Sequence, residues 1–387
     1  MNQRKTRRMP RRGAVAPLTL VLMIVLLACV AFAVDVGYLA KTRNEMQRTA
    51  DAAAIAAAWD LVSDEALTGD TSMSQTMTNL RGSAVTYTSL NDICKKSPDI
   101  DENTANDVSG DVVVGYLNDL SNPNSEWDYS DPTKYNAVRL TVSKTSQMNG
   151  EVPLFFARVL GMDSRSTTAT ATAALTRNIA GFRIPADGSN VELLPFALDI
   201  DTWNDLMAGN ACDDWCYNPE TGAVTCGSDG IKEVNLYPQG TGSPGNRGTV
   251  DIGGSNNSTF DIARQIVDGV SPEDLAHHGG ELEFDACGEL DLNGDTGISA
   301  GVKDELASIV GDPRMIPIFS DVVGPGNNAD YTIVKFVGVR IMEVKLTGKM
   351  SSKRVIIQPC NIVAKGVIPT TVEGQGDFIY TPVRLIR

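Results

Sequence analysis

The chain has 387 residues, of which 42% are hydrophobic, and it carries a formal net charge of −15 at pH 7. This length is enough for two domains of ordinary size, and the apolar fraction excludes wholesale disorder. A body this acidic repels a phosphate backbone, so the composition also excludes nucleic acid as a partner.

The chain opens with a basic tail followed by an apolar run. Gly13–Val34 is 22 residues long and uncharged, which matches the roughly 20 residues that a helix needs to cross the hydrocarbon core. Basic residues stay on the cytoplasmic side, so we predict a cytoplasmic N-terminus and an exterior chain after Asp35. The basic residues that we assign to this topology are Arg7, Arg8, Arg11 and Arg12.

A cleaved signal peptide is the alternative, because Ala31-Phe32-Ala33 resembles a small-x-small cleavage site. The apolar region is longer than the limit of about 15 residues that is usual in signal peptides. This length favours a retained membrane anchor.

The helical pattern continues well beyond the apolar run. No strong helix breaker follows Gly37 until about Leu61, so we predict a single helix roughly 70 Å long. Small residues on one face let another backbone come close, and we therefore predict that this face packs against helices of an assembly. The alternative is that alanine is present only for its helix propensity. The residues that we assign to helix packing are Asp35, Gln47, Ala50, Ala53, Ala54 and Ala57. Asp35 either pairs with a basic group of a neighbour or marks the edge of the bilayer.

Five further elements are predicted before residue 181. Apolar residues at helical spacing indicate helices over 77–91 and 151–162. Alternating or β-branched segments indicate strands over 111–117, 136–145 and 167–176. This order would allow one face of a small sheet to pack on the long helix.

Several of these segments resemble the TadG-like N-terminal family of Flp (tight-adherence) pilus assembly proteins. The resemblance is carried by Arg12-Gly13, by Ala33-Val34-Asp35 and by Gln47 with Ala50-Asp51-Ala52-Ala53, and then by "NAVRLTV" and "PLFFARVLG". It is specific over residues 12–60, fair to residue 176 and weak beyond.

The resemblance implies a non-enzymatic protein of the bacterial inner membrane that crosses it once and has most of its chain in the periplasm or at the cell surface. The implied partners are other Tad/Flp machinery or pilin-like membrane helices, in a hetero-oligomeric assembly. Pilin-like precursors carry Glu five residues after the cleavage glycine, where this chain has Leu18. That departure favours an assembly factor over a major pilin.

From Gly181 onward, glycine, asparagine and aspartate separate short apolar strands, and helices are predicted only over 259–269 and 299–311. The expected fold is α+β: a long transmembrane helix continues into a pilin-like α/β head, followed by a β-rich α+β domain. The expected divisions are a basic tail (1–12), the transmembrane and extended helix (13–62), the head (63–180) and the β-rich domain (181–387).

Six cysteines lie outside the apolar run. An even number in an oxidising compartment predicts disulfides, although six cysteines allow 15 pairings. The spacing of the second, third and fourth of them (Cys212, Cys216 and Cys226) leaves zinc as an alternative, but it lacks a paired CxxC or a nearby histidine. The disulfide candidates are Cys94, Cys212, Cys216, Cys226, Cys287 and Cys360.

"DLNGDTGIS" places Asp291, Asn293 and Asp295 at the first three ligand spacings of a calcium loop. Thr296 and Val302 stand where that loop needs glycine and glutamate. We therefore expect a tight turn leading into the helix at 299–311, with calcium as the alternative.

No catalytic motif accompanies these features. The only histidines, His277 and His278, are adjacent and would point apart, and neither Gly-x-Ser-x-Gly nor a phosphate-binding loop is present. We therefore predict a protein that is not an enzyme and needs no cofactor. The alternative function is a membrane-tethered adhesin or a calcium-stabilised surface protein outside any pilus.

Overall fold

The fold is organised around one long helix that begins in the apolar run. The computed structural model describes residues 15–62, 67, 73–122, 124–237, 247–254, 258–295, 298–324 and 328–386. The predicted topology residues Arg7, Arg8, Arg11 and Arg12 lie outside these ranges, so their role stays a prediction. The helices are α1 (Val15–Trp59), α2 (Met73–Ser89), α3 (Ile200–Met207), α4 (Thr259–Asp268), α5 (Pro272–Ala276) and α6 (Lys303–Ser308).

The strands are β1 (Val112–Gly115), β2 (Ala137–Lys144), β3 (Val152–Pro153), β4 (Ser164–Arg165), β5 (Thr167–Ala174), β6 (Ile179–Arg183), β7 (Phe196–Asp199), β8 (Trp215–Asn218), β9 (Ala223–Cys226), β10 (Val234–Asn235), β11 (Arg247–Val250), β12 (Glu281–Glu283), β13 (Leu290–Asp295), β14 (Pro313–Val323), β15 (Ala329–Lys345), β16 (Arg354–Pro359), β17 (Ile362–Val363), β18 (Val367–Pro369), β19 (Gly376–Asp377), β20 (Ile379–Tyr380) and β21 (Arg384–Ile386).

The two halves of α1 lie in different surroundings. In the described part of the chain, α1 is the one helix long and apolar enough to cross a membrane. Residues 15–34 are almost entirely exposed, whereas buried residues after Asp35 recur at spacings of three and four. This spacing places them on one face of the helix. The prediction of a continuous helix through the apolar run to the region of Leu61 is confirmed.

The first folded unit, the head, is a four-stranded antiparallel sheet covered on one face by α1 and α2. Its strand order is β1-β2-β5-β21. Alternate residues of β2 face the helices, among them Val138, Leu140 and Val142, and all three are fully buried. Ala137, on the other face of β2, joins a smaller cluster with Ala174 and Leu117. The predicted strands at 136–145 and 167–176 therefore supply the centre of this sheet.

The fourth strand of the head comes from the end of the chain. In β21, Arg384, Leu385 and Ile386 pair with Ala174, Ala173 and Thr172 of β5. The head therefore contains residues 384–386 in addition to the predicted range 63–180. The chain leaves the head sheet after β5, builds the second domain and returns beside the strand that it left.

The second domain is built on a closed ring of five strands. β7 pairs with β11, β11 with β13, β13 with β15, and β15 with β14, and the parallel pairing of β14 with β7 closes the ring. The long strand β15 also pairs with β16, which carries β10 at its edge. The core on one side includes Leu292, Phe319 and Tyr331, and the core on the other includes Trp203 of α3 and Leu306 of α6. The expected β-rich α+β domain is confirmed.

One predicted element is wrong. Residues 151–162 do not form an α-helix, because β3 and β4 pair across their ends and only Ala157–Leu160 make a short 3-10 turn. Gly161, with φ +81°, ends this turn. Most of the apolar side chains at 154–160 are exposed on a loop, as described below.

Replacing Ala53 with leucine should destabilise the head. The Ala53 side chain is fully buried in the core between α1 and the sheet, and overpacking of such a core costs about 1–3 kcal/mol. We expect a lower unfolding temperature for the full-length protein in detergent, measured by circular dichroism. Ala40→Leu is the matched control, since Ala40 is exposed on the same helix. Equal unfolding temperatures for the two variants would contradict this account of the alanine face.

Candidate functional site

The predicted functional residue Asp35 connects the apolar half of α1 to the head. It follows the apolar run directly, yet its side chain is only 5% exposed. Oδ1 accepts a hydrogen bond from the backbone N–H of Phe155 at 2.7 Å, and Oδ2 accepts from Phe156 at 3.0 Å and Ala157 at 2.7 Å. We call this contact between Asp35 and the backbone of residues 155–157 the junction.

The chain around the junction is shaped to present these three N–H groups. β3 and β4 pair at the base of the loop, and Leu154 N donates to Asp163 O at 2.9 Å just above them. The ring of Phe155 packs edge-on against Tyr38, one turn along α1, with centroids 5.2 Å apart. A carboxylate that accepts several backbone N–H bonds gains charge-assisted hydrogen bonds in place of those from water. The junction therefore fixes the head at the residue where the apolar run ends.

The alanines of the predicted packing face are covered by the chain itself. Ala50, Ala53, Ala54 and Ala57 are fully buried, and α1 contacts α2, β2 and β5. The structure therefore gives these alanines a partner inside the head, where the expectation was the helices of other subunits. The small side chains do allow a close backbone approach, but to the chain's own sheet.

Gln47 also makes its contacts within the chain. Its Nε2 donates to Asp51 Oδ1 at 2.8 Å and to the carbonyl of Thr170, in β5, at 3.1 Å. This second bond ties α1 to the middle of the head sheet. All six residues assigned to helix packing, which are Asp35, Gln47 and the four alanines, thus hold α1 against the head.

Within the described part of the chain, no disulfide joins any two of the six predicted cysteines. Cys94 bonds to α1 instead: its N–H donates to Glu45 Oε2 at 2.8 Å, and its sulfur lies 3.2 Å from Thr42 Oγ1. Cys216 lies opposite Thr225 and Cys226 opposite Trp215 on the paired strands β8 and β9. Neighbouring strand residues point to opposite faces, so the register does not bring Cys216 and Cys226 together. Disulfides among the six cysteines stay a prediction.

The calcium candidates do not form a turn. Asp291, Asn293 and Asp295 occupy alternate exposed positions of β13, and positions i and i+4 of a strand are about 13 Å apart, so they cannot converge on one ion. Thr332 Oγ1 donates to Asp291 Oδ1, and Asn293 Nδ2 donates to Asp330 Oδ1, both at 3.1 Å. The expectation of a tight turn is wrong over 291–295, and residues 296 and 297 of this segment lie outside the described residues.

The glycine in this segment explains the error. A Cβ on Gly294 would lie 2.3 Å from Thr249 O and 2.9 Å from the Tyr331 ring. Glycine is therefore required at position 294 because Thr249 and the Tyr331 ring approach the backbone closely. The chain does not change direction at Asn293-Gly294.

Three carboxylates that the sequence analysis did not single out meet beside the β8–β9 hairpin. Asp213, Asp229 and Glu233 place ligand oxygens within 4.8 Å of one another, a spacing that a divalent cation could bridge. Each is already held by backbone donors, however; Glu233, for example, accepts from Asp214 N at 3.0 Å and Trp215 N at 3.1 Å. The arrangement thus fastens the loop around the hairpin. No sequence motif marks it, because the three residues are brought together by the fold of the hairpin.

The charge of this cluster has a consequence for pH. Burial, together with the negative charges of Asp213 and Asp229, raises the pKa of Glu233 to about 7 despite its two backbone hydrogen bonds. A pKa raised on folding means that the contribution of Glu233 to stability is full below its unfolded value near 4.5 and is lost as the pH rises through 7.

We therefore expect Glu233→Gln to reduce the fall in unfolding temperature between pH 5 and pH 8. The contribution of Glu233 to the free energy of unfolding over this range is at most about 3 kcal/mol. Thermal unfolding with a chelator present, at several pH values, measures the difference in slope. Asp291→Asn, which removes an exposed carboxylate of β13, should keep the slope of the unaltered protein. Parallel slopes for all three proteins would contradict the assignment.

Two family models match the part of the chain that contains the junction. The Tad model, described as Flp pilus-assembly TadE/G-like, matches residues 13–60. The Tad_C model, described as Tad-like Flp pilus-assembly, matches residues 40–173. No curated protein and no solved structure matches the chain.

The matched ranges correspond to structural units. They overlap on the buried half of α1, and together they extend from the apolar run almost to the end of β5. The matches thus cover the membrane-length helix and the strands β1, β2 and nearly all of β5, whereas β21 of the head sheet lies outside them. The N-terminal part of the chain, residues 13–173, is thus assigned to the TadG-like Flp/Tad family through its TadE/G-like match at 13–60 and its Tad-like match at 40–173.

Proposed function

We propose that this protein is a non-enzymatic component of Flp pilus assembly, anchored in the bacterial inner membrane by a single helix with its N-terminus in the cytoplasm. The family supports involvement in Flp pilus assembly. The exposed apolar half of α1 supports the anchor, and the basic residues before Gly13 support the orientation.

The junction is the observation that carries the proposal. A membrane anchor whose only task was to tether a domain could be joined to it by a flexible linker. Here the first residue after the apolar run is bonded to three successive backbone N–H groups of the head. The head is therefore held in one position relative to the membrane helix, as a scaffold for other subunits requires.

The surfaces left for partners follow from this arrangement. Because the alanine face is covered by the head, we assign contacts with pilin-like helices of the machinery to the exposed surface of α1, which is nearly continuous over residues 15–34 and includes Ala40 and Asn44 beyond them. The acidic second domain is offered to partners outside the membrane. We assign no catalytic role to it, since the polar side chains that converge there, Asp213, Asp229 and Glu233, are bonded to their own loop.

Removing the junction should impair pilus assembly without releasing the protein from the membrane. Asp35→Ala leaves three N–H groups of the loop without their acceptor, and the loss of such partners costs about 1–3 kcal/mol for each group that stays buried. In a strain that lacks the native copy, we expect normal amounts of the variant in carbonate-washed membranes and fewer pili by electron microscopy.

Asp163→Asn is the matched control, since the Asp163 side chain is 84% exposed in the same loop. It should leave pilus number unchanged. Normal pilus number with Asp35→Ala would contradict the role of the junction. Normal pilus number after deletion of the protein, with reduced attachment of cells to a surface, would instead favour a membrane-tethered adhesin.

A further inference from the structure

The loop at the junction carries an exposed apolar cluster. Phe155 is 54% exposed, Phe156 49%, Val159 89%, Leu160 77% and Met162 51%. We call these five side chains the apolar tip. Large apolar side chains grouped in this way on a folded surface mark a contact with a partner or a membrane. Within the described chain, Phe155 packs against the ring of Tyr38, yet each of the five side chains stays at least 49% exposed.

The position of the apolar tip relative to α1 is fixed by the junction. The backbone of Phe155 and Phe156 is bonded to Asp35, so the tip begins at the level where the apolar run of α1 ends. Phe32, Val34 and Val36 of α1 are themselves exposed at this level. The exposed apolar residues of α1 therefore extend along the helix to the level at which the apolar tip begins.

The depth of this level follows from the helix geometry. Residues 15–34 span about 30 Å at 1.5 Å per residue, which is the thickness of the hydrocarbon core. Asp35 then lies at the boundary between the acyl chains and the headgroups. Segments that lie in this boundary bury Phe and Leu side chains to a depth of about 5–10 Å and keep basic residues at the headgroups.

The charged residues of the loop fit the same environment. Arg158 lies in the sequence between apolar residues of the tip, and its side chain is 57% exposed with Nε 4.0 Å from Asp163 Oδ1. Arg165, at the base of the loop, is also exposed. An arginine can lay its alkyl stem along acyl chains while its guanidinium reaches the headgroup phosphates. The loop therefore offers lipid an apolar tip with a polar rim.

We propose that the apolar tip inserts into the lipid interface beside α1, so that the head rests on the bilayer as well as on its helix. This inference rests on the proposed membrane anchor. It makes the head contact the membrane at two places, the helix and the loop, which together restrict the tilt of α1 and the head relative to the membrane.

Tryptophan quenching in bilayers tests the proposal. Full-length protein is reconstituted into phospholipid vesicles, with the lipids brominated either near the headgroup end or near the methyl end of the acyl chains. Val159→Trp and, as a second variant, Leu160→Trp report the depth of the tip, and emission of the unaltered protein is subtracted. We expect the added tryptophan to lose emission in both lipids, more strongly where bromine is near the headgroup.

Two controls separate the proposal from the proposed anchor. Val25→Trp, in the middle of the apolar run, should be quenched more strongly by bromine near the methyl end. Val323→Trp replaces a residue that is 65% exposed in the second domain and should not be quenched. Quenching of Val25→Trp without quenching of either tip variant would overturn the proposal and indicate a protein partner for the tip. Absence of quenching at Val25→Trp would overturn the anchor itself.

Discussion

The rest of the structure depends on one constraint: the first half of α1 is apolar and exposed, whereas its second half must fit a protein core. The side chains change along the helix accordingly. In the first half, large residues such as Leu22 and Ile24 are exposed, as the proposed membrane anchor requires. After Asp35 the buried positions are mostly alanine and threonine, whose small size lets the strands of the head approach the helix backbone. A helix with large side chains throughout could not be covered so closely by a sheet.

The transition between these environments creates the need for the junction. The turn at 155–157 presents three successive backbone N–H groups, each of which needs an acceptor. Asp35 supplies acceptors for all three from the helix itself, and the buried carboxylate gains charge-assisted hydrogen bonds from the backbone in return. The apolar half of α1 and the head are thereby coupled through polar groups at the residue where the apolar run ends.

Much of the fold could be predicted because its signals are local. The apolar run, the small-residue stripe of α1 and the alternation in β2 depend on near neighbours in the chain. The segment that packs against the small-residue stripe could not be predicted. The sequence around Ala53 would be the same whether the approaching backbone belonged to this chain or to another. Segment 151–162 was misassigned because its turn depends on Asp35, 120 residues away.

The other errors have the same origin in long-range contacts. Asn293-Gly294 resembles a turn, but Gly294 is required by Thr249 and Tyr331. The three residues of β21 are too few to show a pattern of their own, and their place is determined by pairing with β5. The cluster of Asp213, Asp229 and Glu233 likewise depends on the fold of a hairpin. At each of these places a distant segment, invisible to local periodicity, decides the conformation.

The return of β21 to the head has a mechanical consequence. The second domain is joined to the head by two adjacent chain crossings, one leaving the end of β5 and one entering β21 beside it. A force that pulled this domain along the strand direction would load both crossings together and act on β5 in shear. The hydrogen bonds of the eight residue pairs between β2 and β5 would then have to break together. If the domain were attached through a single terminal strand, the pairs could instead separate one at a time.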